Sequence, residues 1–273
     1  MIERYRHPFR FYFYSAAIPW ALWLLSGYLS HRENAADYAI YIGMFGLAGL
    51  CGPMLVAAYY SWKDKVLLTD VFRRFINFRS APVGYFLLAV FLMPASTILA
   101  MAISLLFGYS SNQFVITGHA SFTSSLFPVW FILIIAPVLE ELGWHSYGTD
   151  CLRQRYNLFN TSIIFAVFWA LWHLPLAAIK GYYHANLVVE GALYSINFLV
   201  SLFPFVFLMN WLYYKTGRNI LVAIVLHLTA NAFNEIFAMH PDSKVIQTGL
   251  LLVVCTLVIV RERKMFFDRA ING

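Results

Sequence analysis

Six polar residues in otherwise apolar stretches of this sequence have types and spacings suited to chemistry: Glu140, Glu141, His145, His173, His227 and Asn231. Glu141 and His145 are four residues apart and can pair on one helix face, and His227 and Asn231 share that spacing. A carboxylate and a histidine in one cavity can activate water. Two donors on one helix face can stabilise an oxyanion, with roughly 3–4 kcal/mol from each well-placed donor. The set favours acyl hydrolysis by water, without a serine or cysteine nucleophile.

Glu140 and Glu141 are adjacent, so about 100° of helix separates them and they face different neighbours. One can enter a cavity while the other braces the structure. Pro137 precedes Glu140 by three residues and can open the helix beside the carboxylate. A pair of carboxylates that only braces a helix bundle is the alternative interpretation.

The elements that must position these residues are membrane helices. The chain of 273 residues is 61% hydrophobic and 12% charged, about half the charged fraction of a soluble domain. Apolar stretches of about 20 residues can cross a bilayer, and their backbone must then be helical. We predict eight spans: Phe11–Leu29, Ala39–Ser61, Gly84–Gly108, Ser125–Ser146, Thr161–Ile179, Gly191–Tyr214, Ile220–Ala238 and Val245–Val260.

The cations predict the orientation of these helices. With a cytoplasmic N-terminus, 16 of the 19 lysines and arginines fall on the inner side, and the outer side holds only Arg32, Lys180 and Lys244. Cytoplasmic connections carry such an excess of cations. We therefore expect an all-α bundle of about eight transmembrane helices with both termini cytoplasmic, and one membrane-embedded domain over 1–273 with a motif-bearing core at 125–238. The partners are then membrane lipids rather than nucleic acid, despite the net charge of +6.

Two further features bear on the architecture. The connection Trp62–Ser80 alternates cations with apolar residues, which predicts either an amphipathic helix on the inner surface or a cytoplasmic loop that only fixes orientation. The three cysteines, Cys51, Cys151 and Cys255, lie far apart and suggest neither a disulfide framework nor a metal site.

Ionisable residues are almost absent from the predicted spans. Because a charge in hydrocarbon costs several kcal/mol, those that remain there are functional candidates. The spans hold Glu140, Glu141, Glu235, His145, His173 and His227, and every lysine and arginine lies outside them. Glu235 is expected to be structural, bonding near the outer end of its helix. The loop residues His119, His184 and His240 have no expected role in catalysis.

Three motifs in order resemble those of a known family. They are EELGWH at Glu140–His145, ALWH ending at His173, and HLTAN at His227–Asn231. This set is similar to the CAAX prenyl endopeptidases, and more closely to their type II, Ras-converting enzyme branch, within the wider CAAX-protease and bacteriocin-processing membrane protein family. The resemblance covers roughly 125–238, and the eight-helix count fits it.

The resemblance implies a metal-independent glutamate protease without a cofactor. In it, Glu140 and His173 activate the water, and His227 and Asn231 stabilise the oxyanion. Glu141, with His145, supports the site. The implied substrate is a prenylated cysteine followed by three C-terminal residues, which are removed after the cysteine.

Two positions depart from the family pattern. The first motif usually ends in arginine where this chain has His145, which puts in doubt how Glu141 is paired. The second motif usually has phenylalanine four residues before its histidine, where this chain has Trp169. Neither departure replaces a residue with an implied direct chemical role.

The predicted spans also give a depth for the site. At 1.5 Å per residue, Glu140 lies about 9 Å and His227 about 10 Å from the inner ends of their spans. This predicts a site toward the cytoplasmic leaflet, of the plasma membrane in a prokaryote or an internal membrane in a eukaryote. His173 would lie about 18 Å deep, so we expect the fifth helix to begin outside the membrane, near Asn160.

Other functions fit part of the pattern. A zinc-dependent membrane protease could use Glu140, His173 and His227 as ligands, although the chain has no HExxH motif. A proton-coupled transporter could use the buried carboxylates as a relay, although no internal repeat is visible in the sequence. A non-catalytic binding or immunity protein is the third alternative.

Overall fold

A computed structural model describes residues 1–77, 81–124 and 126–268 of this chain. Arg79 and Ser80, Ser125 at the start of the fourth predicted span, and Arg269 lie outside these ranges. The described α-helices are α1 Pro8–Ser30, α2 Ala39–Leu50, α3 Gly52–Lys63, α4 Lys65–Ile76, α5 Val83–Leu105, α6 Val129–Gly143, α7 Thr149–Arg153, α8 Leu158–His173, α9 Tyr183–Glu190, α10 Ala192–Lys215, α11 Ile220–Ile236, α12 Pro241–Arg261 and α13 Arg263–Phe267. The all-α prediction is confirmed.

Several of these helices can cross a membrane by length and composition. Five described segments do so: Val83–Leu105, Val129–Arg153, Leu158–Ala178, Ala192–Lys215 and Pro241–Arg261. The bent pair α2 and α3 can provide a sixth. The two other predicted spans correspond to α1, which has 23 residues, and to the 17-residue apolar helix α11. Each predicted span thus has a helical counterpart, and the structure supports an integral membrane protein with five or six candidate spans.

The break between α2 and α3 has a local cause. The two helices are bent by 44° at Cys51. Pro53 follows immediately, and proline can neither donate a backbone hydrogen bond nor fit against the preceding turn. A Cβ atom on Gly52 would lie 2.7 Å from Cγ of Pro19, so glycine lets α3 approach α1 closely. Pro19, Pro94, Pro137 and Pro204 lie inside α-helices, whereas Pro128 caps the start of α6 and Pro175 lies in the 3-10 turn after α8.

The helices run between two ends of the bundle. At the first end, which we call the terminal end, the N-terminus joins later connections: Arg4 pairs with Asp64 at 3.0 Å, and the Gln154 amide donates to the Glu3 carbonyl at 2.9 Å. The C-terminal segment lies there too, since Arg153 donates to the Asp268 carbonyl. The terminal end comprises residues 1–7, 62–66, 153–158, 215–220 and 261–268.

The second end, which we call the loop end, comprises residues 31–38, 106–124, 178–191 and 237–241. The Lys180 amide donates to Ser30 Oγ at 3.0 Å, which joins two of these connections. Glu235 accepts hydrogen bonds from the Ser121 amide at 2.7 Å and the Ser121 hydroxyl at 3.0 Å. Glu235 therefore bonds near the end of its helix, as predicted, and fixes the long 106–128 connection to α11.

The predicted helix in the connection after α3 is present as α4. Its Arg74 side chain is buried against the bundle, 6% exposed. The guanidinium lies 2.9 Å from Asp70 Oδ2 and 3.3 Å from Asp150 Oδ2. One of the cations that the sequence assigns to a cytoplasmic connection thus belongs to the protein core.

Candidate active site

The four residues expected to carry catalysis line one cavity of about 270 Å³. Glu140 lies in the last turn of α6, and His173 is the last residue of α8. His227 and Asn231 lie one turn apart on α11. Three helices that are distant in sequence therefore bring the predicted groups together.

Glu140 is buried, and two indole groups hold one of its oxygens. Oε2 accepts a hydrogen bond from Nε1 of Trp169 at 3.0 Å and a longer one from Nε1 of Trp144 at 3.5 Å. Among the described residues, none bonds Oε1. The carboxylate is thereby oriented by one oxygen and keeps the other for a water molecule in the cavity.

His173 has a defined tautomer. Its Nδ1 atom lies 2.6 Å from the backbone carbonyl of Trp169. A carbonyl oxygen can only accept, so Nδ1 carries the proton and donates it. In the neutral ring, Nε2 then has a free lone pair. That atom has no partner among the described residues and keeps accessible surface, so it can accept a proton from a bound water.

His227 is oriented in the same way by a carboxylate. Its Nδ1 atom donates to Oε1 of Glu141 at 2.7 Å, which leaves Nε2 toward the cavity. Asn231 is half-buried on the same wall. The two side chains occupy one face of α11 because they are four residues apart.

Glu141 lies behind the cavity and is fully buried. Besides the bond from His227, it accepts a hydrogen bond from Nδ1 of His145, the pair that the four-residue spacing predicts. Nε2 of His145 lies 3.0 Å from Oδ1 of Asn210, and the Asn210 amide donates to Ser162 Oγ at 2.9 Å. His145, at the position where the family motif usually has arginine, is therefore the partner of Glu141.

A π-helical turn, Trp144–Gly148, follows α6 directly. Such a turn breaks the regular pattern of backbone bonds and is frequent at functional sites. Arg74 donates to the carbonyls of His145 at 3.0 Å and Ser146 at 2.8 Å, and the Tyr213 hydroxyl oxygen lies 2.8 Å from the His145 carbonyl. Arg74 thus satisfies carbonyls of the π turn beside the two glutamates, and Tyr213 of α10 packs against the same turn.

Sequence reasoning missed three residues of this site. Arg74 and His184 gave no local signal, because only their distant contacts reveal them. Trp169 was visible as a departure from the family pattern, but its hydrogen bond to Glu140 was not. His184, which we expected to have no role, lies on the cavity wall with its ring 5.2 Å from that of His173.

The position of the site along its helices differs from that in the predicted spans. The helix that carries Glu140 continues through the π turn to Arg153, so Glu140 lies about 20 Å from that terminal-end residue. The helix of His173 begins at Leu158, close to the expected Asn160. The cavity reaches the loop end, where Thr123, Lys180 and Lys244 line it. Its mouth thus lies away from the terminal end.

Within residues 1–77, 81–124 and 126–268, no three histidine, cysteine, aspartate or glutamate side chains are grouped so that they could hold a metal ion. The ligands of the zinc alternative, Glu140, His173 and His227, are therefore not grouped in this way.

Residues 122–233 match the sequence model of the type II CAAX prenyl endopeptidase Rce1-like family. The chain is also 34% identical over 272 residues to CAAX prenyl protease 2 of Methanococcus maripaludis, covering 98% of this chain and 99% of that protein. This chain belongs to that family. It is accordingly a membrane protease, and the resemblance seen in the three motifs is confirmed. All six candidate residues fall within the matched segment.

Proposed function

We propose that this protease removes the last three residues of a prenylated CAAX-type C-terminus with a water molecule activated by Glu140 and His173. One observation carries the proposal: Glu140, His173 and His227 line the same cavity, and each has one atom held by the protein and one left toward that cavity. Family membership supports the same substrate class, since the similar protein of Methanococcus maripaludis is a CAAX prenyl protease.

In the proposed reaction, Glu140 Oε1 and His173 Nε2 hold the water and take its proton. The oxygen bonds to the carbonyl carbon of the prenylated cysteine, and the carbonyl oxygen becomes an oxyanion. The C–N bond then breaks, and the proton passes to the departing amine. No metal or cofactor is needed for these steps, because general acid–base groups supply each proton transfer.

His227 and Asn231 would stabilise the oxyanion. The Asn231 amide has two N–H groups, and the described residues offer it no acceptor. Because Nδ1 of His227 already donates to Glu141, a donor at Nε2 requires a second proton on the ring, and the Glu141 carboxylate supplies the opposite charge. Donors placed in this way stabilise the charge that develops during the reaction.

The wall of the cavity suits an isoprenoid chain. Apolar side chains from four helices line it: Leu47, Leu50, Met93, Leu133 and Phe205. Burial of a prenyl chain against such a wall contributes about 25 cal/mol for each Å² of apolar surface removed from water. Membrane lipids are the other partner that we propose, in contact with the outer faces of the bundle.

We further propose that the terminal end, which holds residues 1–7 and 261–268, faces the cytoplasm, because most of the cations lie there. The expectation of a site toward the cytoplasmic leaflet took the fourth span to end at Ser146. With the candidate span Val129–Arg153 instead, the same orientation would put Glu140 about 20 Å from the cytoplasmic end and the cavity mouth on the opposite side.

Cleavage of a farnesylated CAAX peptide in detergent tests the proposal. The parent should release the C-terminal tripeptide, and Glu140→Gln, His173→Ala and His227→Ala should each reduce kcat/KM by at least about 100-fold, as removal of a catalytic donor or base does. Equal cleavage by all four proteins would remove the proposed site. A chelator should leave parent activity intact, whereas complete loss that zinc restores would support the zinc alternative.

A further inference from the structure

His184 presents an unsatisfied polar group inside the cavity. It lies at the start of α9, between α8 and α10. Both ring nitrogens are buried, and neither has a hydrogen-bond partner in the part of the chain that the structure describes. Leaving a buried donor or acceptor without a partner costs about 1–3 kcal/mol. Most buried polar groups are paired, so we expect this ring to hydrogen-bond a group of a bound ligand.

The ring of His184 lies directly against the catalytic groups. It stacks on His173 with 5.2 Å between ring centroids and 27° between planes. Phe198 and Tyr183 flank it edge-on at 4.8 Å and 5.4 Å. Burial and the neighbouring His173 hold the pKa of His184 well below its usual range. The ring is therefore neutral and offers one N–H donor and one acceptor, which are the complements of a peptide carbonyl and a peptide N–H.

Lys244 lies beyond His184 and Tyr183, in the direction of the cavity mouth. It lies in the first turn of α12 and lines the cavity. Its Nζ atom is 5.5 Å from the centroid of the Tyr183 ring, which itself contacts His184. Among the described residues, no carboxylate pairs with this ammonium. The neighbouring Asp242 is held by Tyr109 and by Tyr194 at 3.0 Å.

The other charged groups on the cavity wall are placed differently. Lys180 is exposed, and its backbone amide is bound to Ser30. Glu190 is exposed as well. Glu235 is bonded to Ser121 and Asn234. Lys244 is the cation that reaches the catalytic groups through consecutive side-chain contacts.

We propose that His184 and Lys244 form the subsite for the three residues that the enzyme releases. Lys244 binds the terminal α-carboxylate, and His184 bonds a peptide group between that carboxylate and the scissile bond once its ring turns to bring a buried nitrogen to the cavity. This inference rests on the proposed function. The contacts from His173 through His184 and Tyr183 to Lys244 form a continuous path, and an extended tripeptide of about 10 Å would lie along it. The subsite makes a free C-terminus part of what the enzyme recognises.

A pair of substrates isolates the contact with the carboxylate. One farnesylated peptide ends in a free carboxylate, and the other has the same sequence and a C-terminal amide. For the parent, amidation should lower kcat/KM about 10- to 100-fold, the range of a charge-assisted hydrogen bond. Lys244→Met should lose the same factor on the carboxylate peptide and nothing on the amide. The matched control, Lys180→Met, should behave as the parent on both.

The inference about Lys244 is overturned if amidation costs the parent nothing, if Lys244→Met loses equally on both peptides, or if Lys180→Met shows the selective loss.

His184→Phe keeps an aromatic ring without nitrogens. It should lower kcat/KM on both peptides and leave their ratio at the parental value. Parental kcat/KM in His184→Phe overturns the part played by His184. Thermal unfolding in detergent verifies that each variant is folded.

Failure of the inference and failure of the proposed function give different results. If Glu140→Gln is inactive on both peptides while Lys244→Met matches the parent, only the subsite is wrong. If Glu140→Gln cleaves both peptides as the parent does, the proposed function itself is wrong.

Discussion

The carboxylate of Glu141 accepts a hydrogen bond from Nδ1 of His227 at 2.7 Å, across 86 residues of sequence. The same carboxylate is bonded by His145 on its own helix. Glu141 does not line the cavity, whereas Glu140 does. We therefore propose that the second glutamate of the EE pair is a positioning residue that acts through His227.

Glu141→Gln removes the charge but keeps the shape of this residue. We expect kcat to fall about 10- to 100-fold, the value of a hydrogen bond to a charged group. His227 loses the carboxylate that orients its ring and that balances the positive charge of the doubly protonated ring. KM should change little, since Glu141 does not reach the substrate. Steady-state kinetics on a farnesylated peptide measures both constants. A parental kcat, or a loss confined to KM, would contradict this role.

Trp169→Phe tests the hydrogen bond that sequence reasoning did not foresee. The variant replaces the indole that packs against His173 and His227 by a smaller aromatic ring and loses the N–H that bonds Glu140 at 3.0 Å. We expect kcat/KM to fall about tenfold, at the lower limit for a bond to a charged group, because Glu140 is then oriented only by the longer bond from Trp144.

The matched control for that change is Trp172→Phe. Trp172 is also buried with its ring against His173, and its N–H donates to the Ser15 carbonyl at 2.8 Å. This variant loses a hydrogen bond of similar length without touching a carboxylate. Equal activity losses in the two variants would show that the effect is structural and not due to Glu140.

Asp150→Asn should strongly destabilise the fold. Asp150 is fully buried and accepts hydrogen bonds from Tyr213 and Tyr214, both at 2.9 Å, and from Arg218. When Asp150 loses its charge, the buried Arg74 and its neighbour Arg218 are left with one shared carboxylate, that of Asp70. Removal of one partner from a buried ion pair costs about 3–5 kcal/mol. The midpoint of thermal unfolding in detergent measures the effect.

Asp64→Asn is the control for the loss of a carboxylate charge. Asp64 pairs with Arg4 at the surface, where solvent weakens the interaction. Its Oδ1 atom also accepts from the Val66 amide, and asparagine can keep that bond at the start of α4. The midpoint should stay close to that of the parent. A larger loss in Asp64→Asn than in Asp150→Asn would refute the importance assigned to the buried network.

The two ends of the bundle should lie on opposite sides of the membrane. His119 belongs to the loop end and Arg155 to the terminal end, and both are exposed. In a variant without the three native cysteines, His119→Cys and Arg155→Cys can each be labelled in intact cells with an impermeant maleimide. Position 119 should react and position 155 should be protected, as the cation distribution predicts. Labelling at both positions would rule out this arrangement, and the reverse pattern would place the mouth in the cytoplasm.

Much of the candidate site could be predicted from the sequence. An ionisable residue in an apolar span is expensive, so the few that are present mark a site. That reasoning identified Glu140, His173 and His227, and the four-residue spacings on helices paired Glu141 with His145. Hydrophobicity and length also placed helical segments at all eight predicted spans, because both are local properties of the chain.

Only the tertiary structure decided which faces of the helices meet. Arg74 reaches the carbonyl of His145 across 71 residues, and Trp169 reaches Glu140 across 29. Helical periodicity gives the direction of a side chain relative to its own helix, but it does not specify the neighbouring helix. For the same reason, the sequence could not show that His184, in a short helix between two spans, packs its ring against that of His173.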